Sequence, residues 1–426
     1  MIPTKESHKL MSFFVKNNCI LPINQTNKTN QLFKKLYMDM KNGVSYINSQ
    51  KEKFGNAFYK LKITHIINIK QIPKPSTFPP NSFPDEVRNH IDEFSLSVLT
   101  YTFHLFGRQI KINFIIEDMY PELLINTYND YVDYMLVWLY ILNEYASRTC
   151  STSLVIYIYH TSLLKNLPQN NIEVLGEINV NTAFTRTCPK NAEIIVFRKE
   201  EWFKVFIHET LHNFGLDFSD MDNTFCKQKI LDIFPVNSDV NLFEAYTEFW
   251  ARIINSLFCS FNIMKREDNE NDVEVFLKHA EYFINFERIY AFFQMIKILN
   301  FMDISYKELY EESIKAVNIR KTLYKENTNV LSYYIITLIL LNNYQDFLAW
   351  CNKYNTSLIQ FKKTTANLEE FCKFIEKKYK NKNILDGISC TEELLQKSNK
   401  KYKKNPKQND LSYILKNLRM TICELG

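Results

Sequence analysis

The sequence predicts an α+β protein: a small twisted mixed sheet with one functional helix, followed by a mainly α-helical C-terminal domain. Three observations carry that reading. Four runs rich in β-branched and aromatic residues, SLSVLTYT (95–102), IKINFII (110–116), LVIYIY (154–159) and EIIVF (193–197), have the composition of strands. From Val273 onward the apolar residues recur almost only at helical spacing. With only 7 Gly and 12 Pro against 33 Phe and 25 Tyr, long helices are favoured over a many-turned sandwich or barrel.

Taken in order, residues 1–70 read as a small N-terminal region in which the polar stretch Asn24 to Asn30 is expected to be a loop or disordered. Five of the 12 prolines fall between Pro73 and Pro84. Proline fixes φ and removes a donor, so residues 71–90 are expected to form an extended linker. Residues 91–262 then form the core. Its first two strands flank Gly107-Arg108 as a hairpin, and Tyr128 to Ala146 is a helix with one buried face. Gly176 to Thr185 reads as a loop or short strand lining a cleft between Asn179 and Phe184. The strand 193–197 precedes a helix starting near Lys199 or Glu200. As the last strand before that helix it is expected at the sheet edge, free to pair with an extended peptide. Residues 263–426 form the helical domain, with the lysine-rich stretch Lys397 to Lys407 expected as a solvated loop.

Composition narrows the function classes. A net charge of +5, spread along the chain, gives little ground for nucleic-acid binding, and the short cluster Lys400 to Lys404 is its only support. The nine cysteines are odd in number and contain no CxxC pair, so reduced thiols are expected. The N-terminus lacks a signal-peptide segment, and the longest apolar run, Val330 to Leu341, is too short to cross a bilayer. A soluble, intracellular protein with no membrane partner is the expectation.

The chemistry resides in Ile207-His208-Glu209-Thr210-Leu211-His212-Asn213-Phe214-Gly215, which writes HExxH onto a helix. Residues four apart share a helix face, so His208 and His212 can offer two imidazole nitrogens to one metal. Glu209 stands beside them, placed to act as general base on a metal-activated water. A third ligand is required. Gly215 fits an extended motif whose final ligand position is occupied by Phe218, which cannot coordinate. Asp217, one residue early, is an alternative ligand or a supporting acid. The second source is NLFEAYTEFWARIINSLF (241–258), where Glu244 and Glu248 share a face of an apolar helix. Burying two unpaired carboxylates is costly, and a divalent cation supplies a reason for both. Glu244 is assigned as third ligand, with Glu248 holding His208 or His212 in the right tautomer. The exchange of those two roles stays open.

HETLH followed by FEAYTEFW resembles the gluzincin branch of zinc metallopeptidases, in which HExxH is completed by a glutamate on a later helix. GEINVNTAFT, EIIVFRKEEWFKVFIHETLHNFGLDFS, NLFEAYTEFWARIIN, ENTNVLSYYIITLILL and DFLAWCNKYN are similar to the metallopeptidase-like proteins of nucleocytoplasmic large DNA viruses. The likeness covers about residues 95–426. It implies a zincin-like core over 91–262, one Zn²⁺ per chain, hydrolysis of an extended peptide or protein, and residence in a host cytoplasm or a virion. Donors for the developing oxyanion are sought in Tyr333 and Tyr334, with His160 and Arg186 as further candidates. The competing reading is a catalytically silent zincin-fold protein serving as a structural or binding component of a virion.

Overall fold

The computed structural model describes residues 3–17, 19–266, 272–405 and 409–426. Six strands, β1 (Lys62–His65), β2 (Ser97–Leu105), β3 (Arg108–Ile116), β4 (Ser153–His160), β5 (Ala183–Thr185) and β6 (Asn191–Val196), form one sheet. Their spatial order is β1-β2-β3-β4-β6-β5. The β3–β4 and β4–β6 pairs are parallel and the rest antiparallel, giving a mixed sheet in an α+β protein. The β2–β3 hairpin closes through Phe106 and Gly107, both at positive φ, the loop geometry that matches strand twist.

The helices up to residue 301 are α1 (Lys5–Asn17), α2 (Asn27–Phe54), α3 (Asp85–Phe94), α4 (Ile125–Tyr145), α5 (Glu177–Val180), α6 (Trp202–Asn213), α7 (Thr224–Ile233), α8 (Leu242–Arg266) and α9 (Val273–Phe301). Among the described residues, six shorter α-helices and one π-helical turn follow α9, with the last α-helical turns at Asn409–Lys416. One face of the sheet, with Tyr101, Ile112, Phe114, Ile156 and Ile194, joins the main core beneath α4 and α6. The other face, with Val98, Ile115, Tyr159, Ile195 and Phe197, packs against Ile72, Phe83, Val87 and Ile91.

That second face corrects the reading of residues 71–90 as a linker. The prolines do deny backbone donors, but Phe78 and Phe83 between them stack on Phe184 and Tyr159, and burial of those rings folds the segment onto the sheet. Ser76 and Thr77 both hydrogen-bond the Glu193 carboxylate on β6. The N-terminal region is likewise no separate unit. Thr26 caps α2, its Oγ1 accepting from the Thr29 N–H at 3.3 Å, so part of the expected Asn24–Asn30 loop is helix. The buried Phe33, Leu36, Tyr37, Met40 and Ile47 of α2 belong to the main core.

The expected boundary at 262/263 falls inside α8, whose continuous apolar surface packs on α9. Lys397–Lys404, expected as loop, lies within helix Lys382–Lys404, where Ile384, Ile388 and Leu395 supply the buried stripe; residues 406–408 lie outside the described residues. The strands at the sheet edges are β1 and β5, not β6. An interior strand covered on both faces is largely apolar, which explains the run Ile194 to Phe197, while the buried Glu193 is satisfied by Ser76 and Thr77.

Cysteine chemistry also departs from expectation. Cys19–Cys390 and Cys150–Cys188 are disulfide-bonded, joining residues 371 and 38 apart in sequence, while Cys226, Cys259, Cys351, Cys372 and Cys423 are free and buried. Spacing along the chain could not reveal partners brought together only by tertiary packing. Among the described residues no helix is long and apolar enough to cross a membrane.

Candidate metal centre

All twelve residues of α6 are buried, because the sheet lies beneath it and α8 above it. The Trp138 indole on α4 donates to Thr210 Oγ1 at 2.7 Å, holding α6 in rotation about its own axis. At its start Glu201 adopts a left-handed conformation, φ 60°. Its carboxylate accepts the backbone N–H groups of Met420 and Thr421, each at 2.6 Å, and the Lys165 ammonium at 2.7 Å. These bonds over-determine a strained residue and tie α6 to the buried segment 419–424.

His208 Nε2, His212 Nε2 and Glu244 Oε2 converge. The two nitrogens lie 3.1 Å apart, and the oxygen is 3.1 Å from His208 and 3.4 Å from His212. A tetrahedral ion with bonds of about 2.0–2.1 Å sets its donors about 3.3 Å apart, so these separations match. The far sides of both rings are anchored by acids. His208 Nδ1 faces Glu248 Oε2 at 3.2 Å, and His212 Nδ1 faces Asp217 Oδ2 at 2.6 Å. Acid partners place a proton on each Nδ1, which leaves both Nε2 lone pairs aimed at Glu244. With both imidazoles neutral, three acceptors face one another at contact distance, an arrangement that a cation relieves. The group His208, His212 and Glu244 is therefore a possible metal-binding set.

Glu244 is the carboxylate that meets the two imidazoles. Glu248 stands behind His208, and the exchange of roles fails because its oxygens are taken by Lys204 Nζ at 2.9 and 3.0 Å and Arg252 Nε at 2.8 Å. Asp217 as a direct ligand fails too: the turn at Gly215, φ +67°, brings it behind His212 rather than onto Nε2. Tyr333 donates to Glu244 Oε2 at 2.9 Å from a single π-helical turn, Leu331–Ile336, and its ring lies 5.9 Å from that of His208. Tyr334 points the other way. Adjacent helical residues diverge by about 100°, and the Tyr334 hydroxyl donates to Leu418 O at 2.7 Å in the core. His160 packs with Trp202 and Phe114 and bonds Tyr128, and Arg186 donates to Thr77 O over the Phe78 ring, so neither joins the site.

Electrostatics follow from this packing. Burial lifts the Glu209 carboxyl above its usual range, against the pull of His208 and His212. Burial opposes ionisation of Glu244 and Glu248, but His212 and His208 for the first, and Lys204 and Arg252 for the second, hold both well below the carboxylate range. Burial also opposes charge on the imidazoles; Glu244 and Glu248 beside His208, and Asp217 and Glu244 beside His212, outweigh it and raise both. The site thus attracts positive charge at the two rings.

A cavity of about 30 Å³ is bounded by His208, Glu209, Tyr333, Thr182 and Met420. Val180 to Ala183 form one wall, as expected for the 179–184 segment, and the Thr182 hydroxyl is buried without a hydrogen-bond partner. Several supporting residues escaped the sequence reading: Lys204, Arg252, Thr247 (3.5 and 3.4 Å from the two Nε2 atoms) and Met420. Lys204 precedes His208 by four and Arg252 follows Glu248 by four, a spacing that could have flagged both. Comparison with protein-family models, curated proteins and solved structures finds no match to this chain.

Proposed function

We propose that this chain is a zinc-dependent metallopeptidase, hydrolysing peptide bonds with Glu209 as general base. The convergence of His208 Nε2, His212 Nε2 and Glu244 Oε2 at 3.1–3.4 Å, beside a buried Glu209, is the observation that carries it. Zinc held by those three side chains would supply an activated water and a Lewis-acid contact for the scissile carbonyl. Glu209, its carboxyl raised by burial, is suited to accept the water's proton and to return it to the leaving amine. Tyr333 bounds the same cavity and is the hydroxyl donor in reach of a developing negative charge. At about 30 Å³ the cavity has room for water but not for a peptide. An extended peptide therefore enters with displacement of the Tyr333 or Thr182 wall, running along the exposed edge of β5.

That small volume also favours a second reading, a metal-binding zincin-like protein without turnover, for example within a virion. One pair of measurements separates the two. Wild-type chain is expected to bind one zinc and cleave a generic peptide library, and Glu209→Gln to keep the zinc while losing activity by about 10²–10⁴-fold. Zinc present with no cleavage and no labelling by a hydroxamate probe would establish the silent reading. Absence of stoichiometric metal would overturn both.

A further inference from the structure

Beyond the ligands, a continuous chain of contacts runs from His212 to a disulfide. The buried Asp217 carboxylate has one oxygen on His212 Nδ1 at 2.6 Å, while its other oxygen accepts from Ser219 Oγ at 3.1 Å. Ser219 Oγ lies 2.7 Å from Thr187 Oγ1. A serine hydroxyl has a single proton, and Ser219 commits it to Asp217, so Thr187 is the donor in that second bond. Thr187 immediately precedes Cys188, whose disulfide to Cys150 anchors the β5–β6 loop beside the start of β4. The same loop is stitched to the end of α6: Cys188 N–H donates to Asn213 O at 3.1 Å, and Asn213 Nδ2 to Thr185 Oγ1 at 2.9 Å. Gly215, which turns the chain toward Asp217, packs on the cystine so closely that a Cβ there would sit 3.3 Å from Cys188 Cβ.

We propose that Thr187 and Ser219 are positioning residues for the metal centre, locked in place by the Cys150–Cys188 disulfide, so that its reduction weakens metal binding. The inference rests on the metal-centre reading above. Cleavage of the S–S bond by a water-soluble phosphine consumes one water, releases two thiols and leaves the phosphine oxide. The β5–β6 loop is then held only by hydrogen bonds such as those to Asn213, and Thr187 can shift from Ser219. Ser219 loses the donor that Thr187 supplies, and Asp217 loses a fixed partner. His212 is left held by a carboxylate with a free choice of rotamer, and outer partners of this kind set metal affinity by about 10–100-fold.

The test is the zinc dissociation constant of the full chain, read by competition with a chromogenic chelator after the phosphine has been removed anaerobically. Oxidised Ser219→Ala is expected to bind zinc about tenfold more weakly than oxidised wild type. Ser219→Thr restores binding, and reduction of the wild type reproduces the loss. Reduction of Ser219→Ala adds little, because the chain of contacts is already broken. Ser219→Ala keeps its disulfide, so the result stands even where Cys150→Ser/Cys188→Ser fails to fold. A disulfide that served stability alone would lower the melting temperature and leave the zinc constant of the folded chain unchanged. Equal constants for oxidised and reduced wild type, or losses that multiply independently, overturn the proposal while leaving the metal centre intact. Failure of oxidised wild type to take up zinc overturns the metal centre and this inference together.

Discussion

Glu248 bears on both the stability of the fold and the proposed metal centre, and Glu248→Gln tests both at once. The carboxylate is 1% exposed and accepts from Lys204, Arg252 and His208 Nδ1 at 2.8–3.2 Å. An amide keeps the shape, removes the charge and turns a donor toward two cations. Breaking a buried pair from one side costs about 3–5 kcal/mol. Glu201, 3.8 Å from Lys204, offsets part of that, which favours the lower end. A chain of 426 residues has a melting entropy of about 0.9 kcal/mol/K, so about 3–4 kcal/mol lowers the melting temperature by about 3–5 °C. His208 also loses the charge that fixes its tautomer, and zinc affinity is expected to fall by about 10–100-fold. Calorimetry of the metal-free chain measures the first effect, and chelator competition at a temperature where both proteins are folded measures the second. If the variant melts within 1 °C of wild type and binds zinc equally well, Glu248 is not the anchor of this centre.

Three further outcomes are expected. Tyr333→Phe removes a donor that competes with a metal for Glu244 Oε2, so zinc content should hold while turnover falls by about 10²-fold; loss of zinc would refute this. His160 is pushed down from 6.5 to about 3 by burial, first, and by Lys199. Its folded form therefore stays neutral where the unfolded chain binds a proton, so stability falls as pH drops from about 6.5 to about 3, by about 1.4 kcal/mol per unit. His160→Phe should remove that contribution from the acid limb of a denaturant-melt series, and an unchanged slope would refute it. At Gly387 an added Cβ would sit 2.5 Å from Phe292 Cζ, where helix Lys382–Lys404 meets α9, so Gly387→Ala should cost about 1–3 kcal/mol in urea unfolding; a neutral result would show that the ring moves freely.

Much of the site was legible because helices impose a period that sequence preserves. His208 with His212, and Glu244 with Glu248, each share a face by spacing alone. The four β-branched runs and the Gly107 turn marked their strands for the same kind of local reason. Contacts set by distant chain were not legible. Nothing near Glu201 signals Met420 and Thr421, 219 and 220 residues away, and nothing near Cys150 names Cys188. The proline cluster misled because local stiffness says nothing about whether Phe78 and Phe83 find rings to pack on. Tyr333 and Tyr334 were indistinguishable until the register of the π turn sent one hydroxyl to Glu244 and the other to Leu418.

The donors to the centre span only 36 residues between His208 and Glu244, which invites excision of a minimal fragment. A piece ending at residue 262 would retain every donor and still be a poor substitute for the protein. It would strip the cavity of Tyr333 and Met420, leave the Glu201 carboxylate without its two amide partners, and bare the side of α8 that α9 covers. Such a piece would trade a framed centre for an exposed apolar flank, and aggregation would be its first measurable property.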